Sequence, residues 1–119
     1  MKKTFMLFLV IIFFCTGCTV RVADLTMAGT KNLNLETMKI NYERVTKNVE
    51  GSDSKVILLF IPLGYPNLEE AIDEALHKAN GNLMTDAVVY WTSYSFILFG
   101  INTITVKGDV YNTIEKLQK

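Results

Sequence analysis

The feature that most limits what this chain can fold into is an unbroken apolar run at residues 5–15, closed by Thr16-Gly17-Cys18. Lys2 and Lys3 precede it. Basic residues, an apolar stretch and then small residues at a cleavage point are the layout of a secretory signal. Eleven apolar residues are too few to span a bilayer as a helix, which takes roughly 20. Removing residues 1–17 from the 119 leaves 102. That length supports one small domain around one core.

Cys15-Thr16-Gly17-Cys18 resembles the bacterial lipobox. The resemblance implies that the Cys18 thiol receives a diacylglyceryl group. The chain is then cut before Cys18, and the new amine takes an acyl chain such as palmitate. The position three before the cysteine is usually Leu or another aliphatic. Here it is Cys15, apolar but smaller. The competing reading is an ordinary secretory signal with an incidental cysteine. On the lipobox reading the organisation is a signal at 1–17, a lipidated N-terminus and tether at 18–30, and a single domain at 31–119. Cys15 leaves with the signal and Cys18 is consumed by lipid. No disulfide is then available in an oxidising compartment, so stability rests on packing and strand pairing.

Charge narrows the partners. The chain holds 12 basic and 12 acidic residues. Without Lys2 and Lys3 the balance is 10 against 12, a net charge of −2. No basic patch suits a nucleic acid. Lys and Arg are scattered singly, which also argues against polybasic attraction to a membrane. Attachment would come from acyl chains, of which two or three anchor stably where one does not.

The mature part reads as strands, one helix and more strands. Residues 19–30 suggest extended structure broken at Ala28-Gly29. Alternating apolar positions predict two short strands near 32–36 and 38–46, or one bent strand over both. Gly51-Ser52-Asp53-Ser54 has the composition of a loop. The continuous apolar run at 56–61 suits a buried strand, stopped by Pro62, Gly64 and Pro66. Asn67 can cap a helix, with Glu70 completing a capping box. Leu68, Ala71, Ile72, Ala75, Leu76 and Ala79 form one apolar stripe over 68–79. Asn80-Gly81 ends it. Strands are expected over 84–91 and 101–111, paired as an antiparallel hairpin through a loop at 93–100. The tail from 112 is polar. Together these make an α+β fold, a two-layer sandwich in the order β-β-β-α-β-β. Its antiparallel sheet has four to five strands, with one amphipathic helix.

No catalytic constellation emerges. His77 is the single histidine and lies four residues after Asp73, on the polar side of the helix. Such a pair is an ordinary surface contact. A zinc site needs three or four ligands that the mature chain does not supply. Glu69, Glu70, Asp73 and Glu74 match a solvated helix N-terminus better than a calcium loop. Ser93 and Ser95 lack the context of an activated nucleophile. No cofactor is expected. The remaining candidate is the aromatic stretch at 90–99. Trp91, Tyr94, Phe96 and Phe99 are its candidate contact surface, toward a membrane interface or a protein partner. The competing reading folds the stretch over the sheet as core. If it is a surface, Trp91 and Phe99 should be exposed together as one patch.

Asp24-Leu25-Thr26, Thr30-Lys31-Asn32, the helix at Asn67, Asp86-Ala87-Val88-Val89-Tyr90 and Val106-Lys107-Gly108-Asp109-Val110 resemble the TRL-like family of small bacterial lipoproteins. The layout is also similar to Bor-type lipoproteins of the outer membrane. Neither resemblance supplies a catalytic motif. The expected function is a membrane-anchored, non-enzymatic lipoprotein of the cell envelope. Its small domain would bind an envelope protein or self-associate. By analogy with enterobacterial sorting, Thr19 rather than Asp after the lipidated cysteine favours the outer membrane, facing the periplasm; a single-membrane source would place the protein on the outer cell surface instead. The alternatives are a small periplasmic enzyme with a hidden site and an envelope protein contributing to host or stress resistance.

Overall fold

The computed structural model describes residues 1–13, 16–30 and 43–112. The element order is α1 (Lys2–Phe13), β1 (Thr16–Ala28), β2 (Glu43–Leu58), β3 (Ile61–Pro62), α2 (Leu68–Lys78), β4 (Leu83–Ser95) and β5 (Phe99–Asn112). The fold is mixed α+β. Its sheet has five strands in the order β1-β4-β5-β2-β3, and every pairing is antiparallel. The strands expected near 32–36 and 38–46 lie outside the described residues, except that 43–46 begin β2. The tail after Asn112 also lies outside them.

The helix forms where its stripe predicts. The Asn67 side chain accepts the Glu69 N–H at 2.9 Å. The expected return arm of a capping box is supplied differently. Asp53 on β2, rather than Glu70, accepts the backbone N–H of Asn67 at 2.7 Å. At the C-terminal end, Asn80 takes the left-handed conformation at φ 51°. Gly81 N–H then bonds Leu76 C=O, and Asn80 N–H bonds His77 C=O. This is a Schellman closure, satisfying carbonyls that the helix leaves open.

Ala71, Ile72, Ala75 and Leu76 of α2 are buried against Val49, Met84, Ala87, Val89, Val106 and Val110. The helix does not cover the apolar run at 56–61 or Val88. Val88 pairs with Lys107, and Val56, Leu58 and Ile61 are exposed. The reason is Gly51. A Cβ there would sit 2.1 Å from the Ala71 carbonyl oxygen and 2.6 Å from the Ala75 nitrogen. The helix backbone is pressed directly onto β2 at this residue. Gly51 therefore works as a packing surface, and the expected loop at 51–54 is the middle of a strand.

Strand β2 pairs with the two-residue β3 only at its end, so its outer edge needs covering. Side chains of α2 do this. Glu74 accepts the Ser52 N–H at 2.5 Å, and Lys78 donates to the Glu50 carbonyl at 3.1 Å. At the opposite edge, a bulge between Arg21 and Ala23 interrupts β1. The tether expected over 18–30 is strand β1 as far as Ala28, paired along its length with β4.

Candidate functional site

Antiparallel register sets the side chains of each face in rows across the sheet. On the face away from α2, one row holds Asp24, Val88, Lys107 and Glu50, with Lys107 and Glu50 paired at 2.9 Å. The next holds Arg21, Tyr90, Thr105 and Ser52. The third is hydroxyl throughout: Thr19, Thr92, Thr103 and Ser54. Within it Thr19 and Thr92 bond at 3.0 Å, and Ser54 and Thr103 at 2.8 Å. The fourth row is Gly17, Tyr94, Ile101 and Val56, and beyond it Phe99 faces Leu58. Over roughly 25 Å, at about 3.3 Å per residue, one face passes from charged to hydroxyl to apolar.

The apolar end is built by two hairpin turns. One joins β4 to β5 through residues 96–98, and the other joins β2 to β3 through Leu59-Phe60. They are one body, because the Leu59 N–H bonds the Leu98 carbonyl at 2.8 Å. Phe96 and Phe99 stack with centroids 4.7 Å apart and planes at 28°. Phe60 is 84 % exposed, Leu98 58 % and Phe99 50 %. Neither residues 56–68 nor residues 87–106 contain a charged side chain or a histidine. The nearest charge on β2 is Lys55, whose ammonium is held back toward the helix start by Asp53 at 2.9 Å and Glu70 at 3.2 Å. Those partners raise its pKa, while the Asn67 N–H, ahead of Lys55, lowers that of Asp53.

Cys18 lies at the same end. It is exposed on β1 and faces Ser93 of β4. Tyr94, Phe96 and Phe99 are exposed near it, as a contact surface requires. Trp91 is not part of that surface. It is half-buried and faces Ile104 on the side of the sheet that carries α2, whereas Phe99 faces Leu58 on the other. The turn at 96–98 moves Phe99 onto β5, where the hairpin register sets odd positions on the face away from α2, so the single Trp91–Phe99 patch expected from sequence does not form. Residues 58–61 and Leu63 extend the surface, although 56–61 were expected to be a buried strand. An apolar run carries no alternation to reveal its turn, and no Asn-Gly pair marks one.

The opposite end is polar. Thr30, Asp73, His77, Asn80 and Asn82 border an open depression of about 290 Å³. His77 and Asp73 are both exposed, and the Thr30 hydroxyl donates to the Asp73 carboxylate. Among the described residues, no cluster of three or more His, Cys, Asp or Glu is arranged to hold a metal ion. No helix among them is long and apolar enough to cross a membrane. No family model, curated protein or solved structure matches the chain.

Proposed function

We propose that this chain is a lipid-anchored protein of the cell envelope whose small, non-catalytic domain binds a component there. The observation that carries the reading is Cys18. It ends a lipobox-like segment directly behind the apolar helix α1, and it is exposed at the start of β1. An acyl group on that sulfur needs no rearrangement of the sheet. The mature domain is read as a two-layer α+β sandwich in the order β-β-β-α-β-β, with α2 over one face. The solvent exposure of His77 and Asp73 supports a binding role over acid-base catalysis, which works best in a shielded site. The TRL-like resemblance, and Thr19 rather than Asp after the cysteine, favour the outer membrane on its periplasmic side. The protein component is an envelope partner or a second copy of the chain.

Replacing Cys18 with Ala tests the anchor. The variant should leave the membrane fraction or retain its signal segment, with altered mobility in either case. Unchanged fractionation with unchanged mobility would show that Cys18 carries no lipid.

A further inference from the structure

We infer that the apolar end of the sheet is a membrane-contact surface. Its two hairpin turns enter the interfacial layer of the bilayer that holds the Cys18 lipid, so the strands stand up from the membrane. This rests on the lipid-anchor reading for the proximity of a bilayer, and on separate observations for the contact itself.

The first observation is position. Cys18 is level with Ser93, and residues 97 and 98 lie four to five positions further along the chain, in the turn that follows β4. At about 3.3 Å per residue that is roughly 10–15 Å, less where the turn curls. Amphipathic surfaces settle about 5–10 Å into the boundary between headgroups and acyl chains. Turns at that depth leave Cys18 near the headgroup level, where a diacylglyceryl sulfur has to lie.

The second is chemistry. The end presents Leu59, Phe60, Ile97 and Leu98, without a charge of its own. Tyr65 and Tyr94, both exposed, flank it nearer the middle of the sheet. Tyrosines with an apolar body and a polar tip favour the level where membrane meets water. A surface without cations fits a neutral, zwitterionic lipid face rather than an anionic one. The open backbone groups of the turns hold the contact at the interface, because bare loops do not enter the hydrocarbon core.

The third is backbone strain. The two-residue turn of the β2–β3 hairpin puts Leu59 at φ 49° and Phe60 at φ 67°. Turns of this kind strongly prefer Asn-Gly. Leu and Phe are poor residues for left-handed backbone. The turn carries two large apolar side chains where the local backbone favours neither. Such strain persists at sites selected for something other than stability.

The test uses the full chain, processed in cells, purified and reconstituted into phosphatidylcholine vesicles. Phe60→Cys and Ile97→Cys carry an environment-sensitive fluorophore, and His77→Cys at the polar end is the reference. All three positions are exposed, so the fold is expected to tolerate them. The fluorophore at 60 and 97 should be blue-shifted. Nitroxide-labelled lipid should quench it several-fold more than at 77, with little change at high salt. Equal quenching at all three positions overturns the proposal. So does a blue shift at 60 and 97 that lipid nitroxide does not quench, since a second copy or a protein partner would then cover the end. The chain without added cysteines distinguishes failure of the anchor. If it takes up the fluorophore, Cys18 is a free thiol and the lipid reading falls, whatever the quenching shows.

Discussion

Leu59 and Phe60 illustrate how one pair of residues can serve contact at the expense of the fold. Both occupy left-handed backbone, which disfavours ordinary L-residues by roughly 1–2 kcal/mol each. Their side chains are largely in solvent and contribute little burial. Replacing the pair with Asn-Gly should therefore stabilise the protein by about 1–2 kcal/mol, read as a higher denaturant midpoint. The same change should weaken contact of the hairpin with vesicles. Gly51 behaves in the opposite sense. An added methyl would meet the Ala71 carbonyl oxygen at 2.1 Å, and a helix backbone cannot yield as a side-chain end can. Gly51→Ala should destabilise by about 1–3 kcal/mol, as overpacking does. A midpoint within error of the parent would contradict the contact between α2 and β2. The sequence shows Gly51 only beside Ser52-Asp53-Ser54, which is loop composition. Its real reason, a helix lying across it, is non-local and leaves no local pattern.

Among the elements, α2 was the most legible. Its cap, its stripe and its stop are all local devices, and Asn67, Ile72, Leu76 and Asn80 act in the structure as their spacing suggests. The β4–β5 hairpin was legible in type but short at both ends, because its strands run to Ser95 and from Phe99. Strand β2 was legible at its two ends, 43–46 and 56–58, but not in its middle. Its polar middle is strand only because α2 covers its edge and β5 pairs along it. That cover makes the stability of the domain depend on acid. Backbone N–H groups of Asn67 and Ser52 hold the pKa values of Asp53 and Glu74 below their ordinary values. Each carboxylate thus stabilises the fold above its unfolded pKa, about 4 for either residue. The contribution is lost as pH falls through the depressed folded value. Stability should hold from neutrality to about pH 4 and decline below it. Asp53→Asn with Glu74→Gln should lower stability at pH 7 and flatten that decline. An equally steep acid profile in the double variant would mean that other groups set it.

At the scale of the whole molecule, charge is arranged along the strands rather than between the two faces. Lys107, Glu50, Asp24 and the depression beside His77 lie toward one end, and the hairpin turns and Cys18 lie at the other. A protein fixed by lipid at its apolar end would present its polar end to the compartment beyond. A binding partner would then meet Thr30, Asp73 and His77 rather than the aromatic turns. The sequence singles out Cys18 and the aromatic stretch but not their shared end. That juxtaposition depends on β1 pairing with β4, which places residues 18 and 93 side by side across 75 positions of chain. Alternation along one extended strand puts Trp91 and Phe99 on the same face, and it does not reveal the turn at 96–98 that moves Phe99 to β5 and the other face.

The most direct test of the account is the mass of the N-terminal tryptic peptide of the protein extracted from membranes. Trypsin cuts after Arg21, so the peptide should be Cys18-Thr19-Val20-Arg21 carrying diacylglyceryl on sulfur and an acyl chain on its amine. A peptide beginning at another residue, or one with an unmodified Cys18, would contradict it.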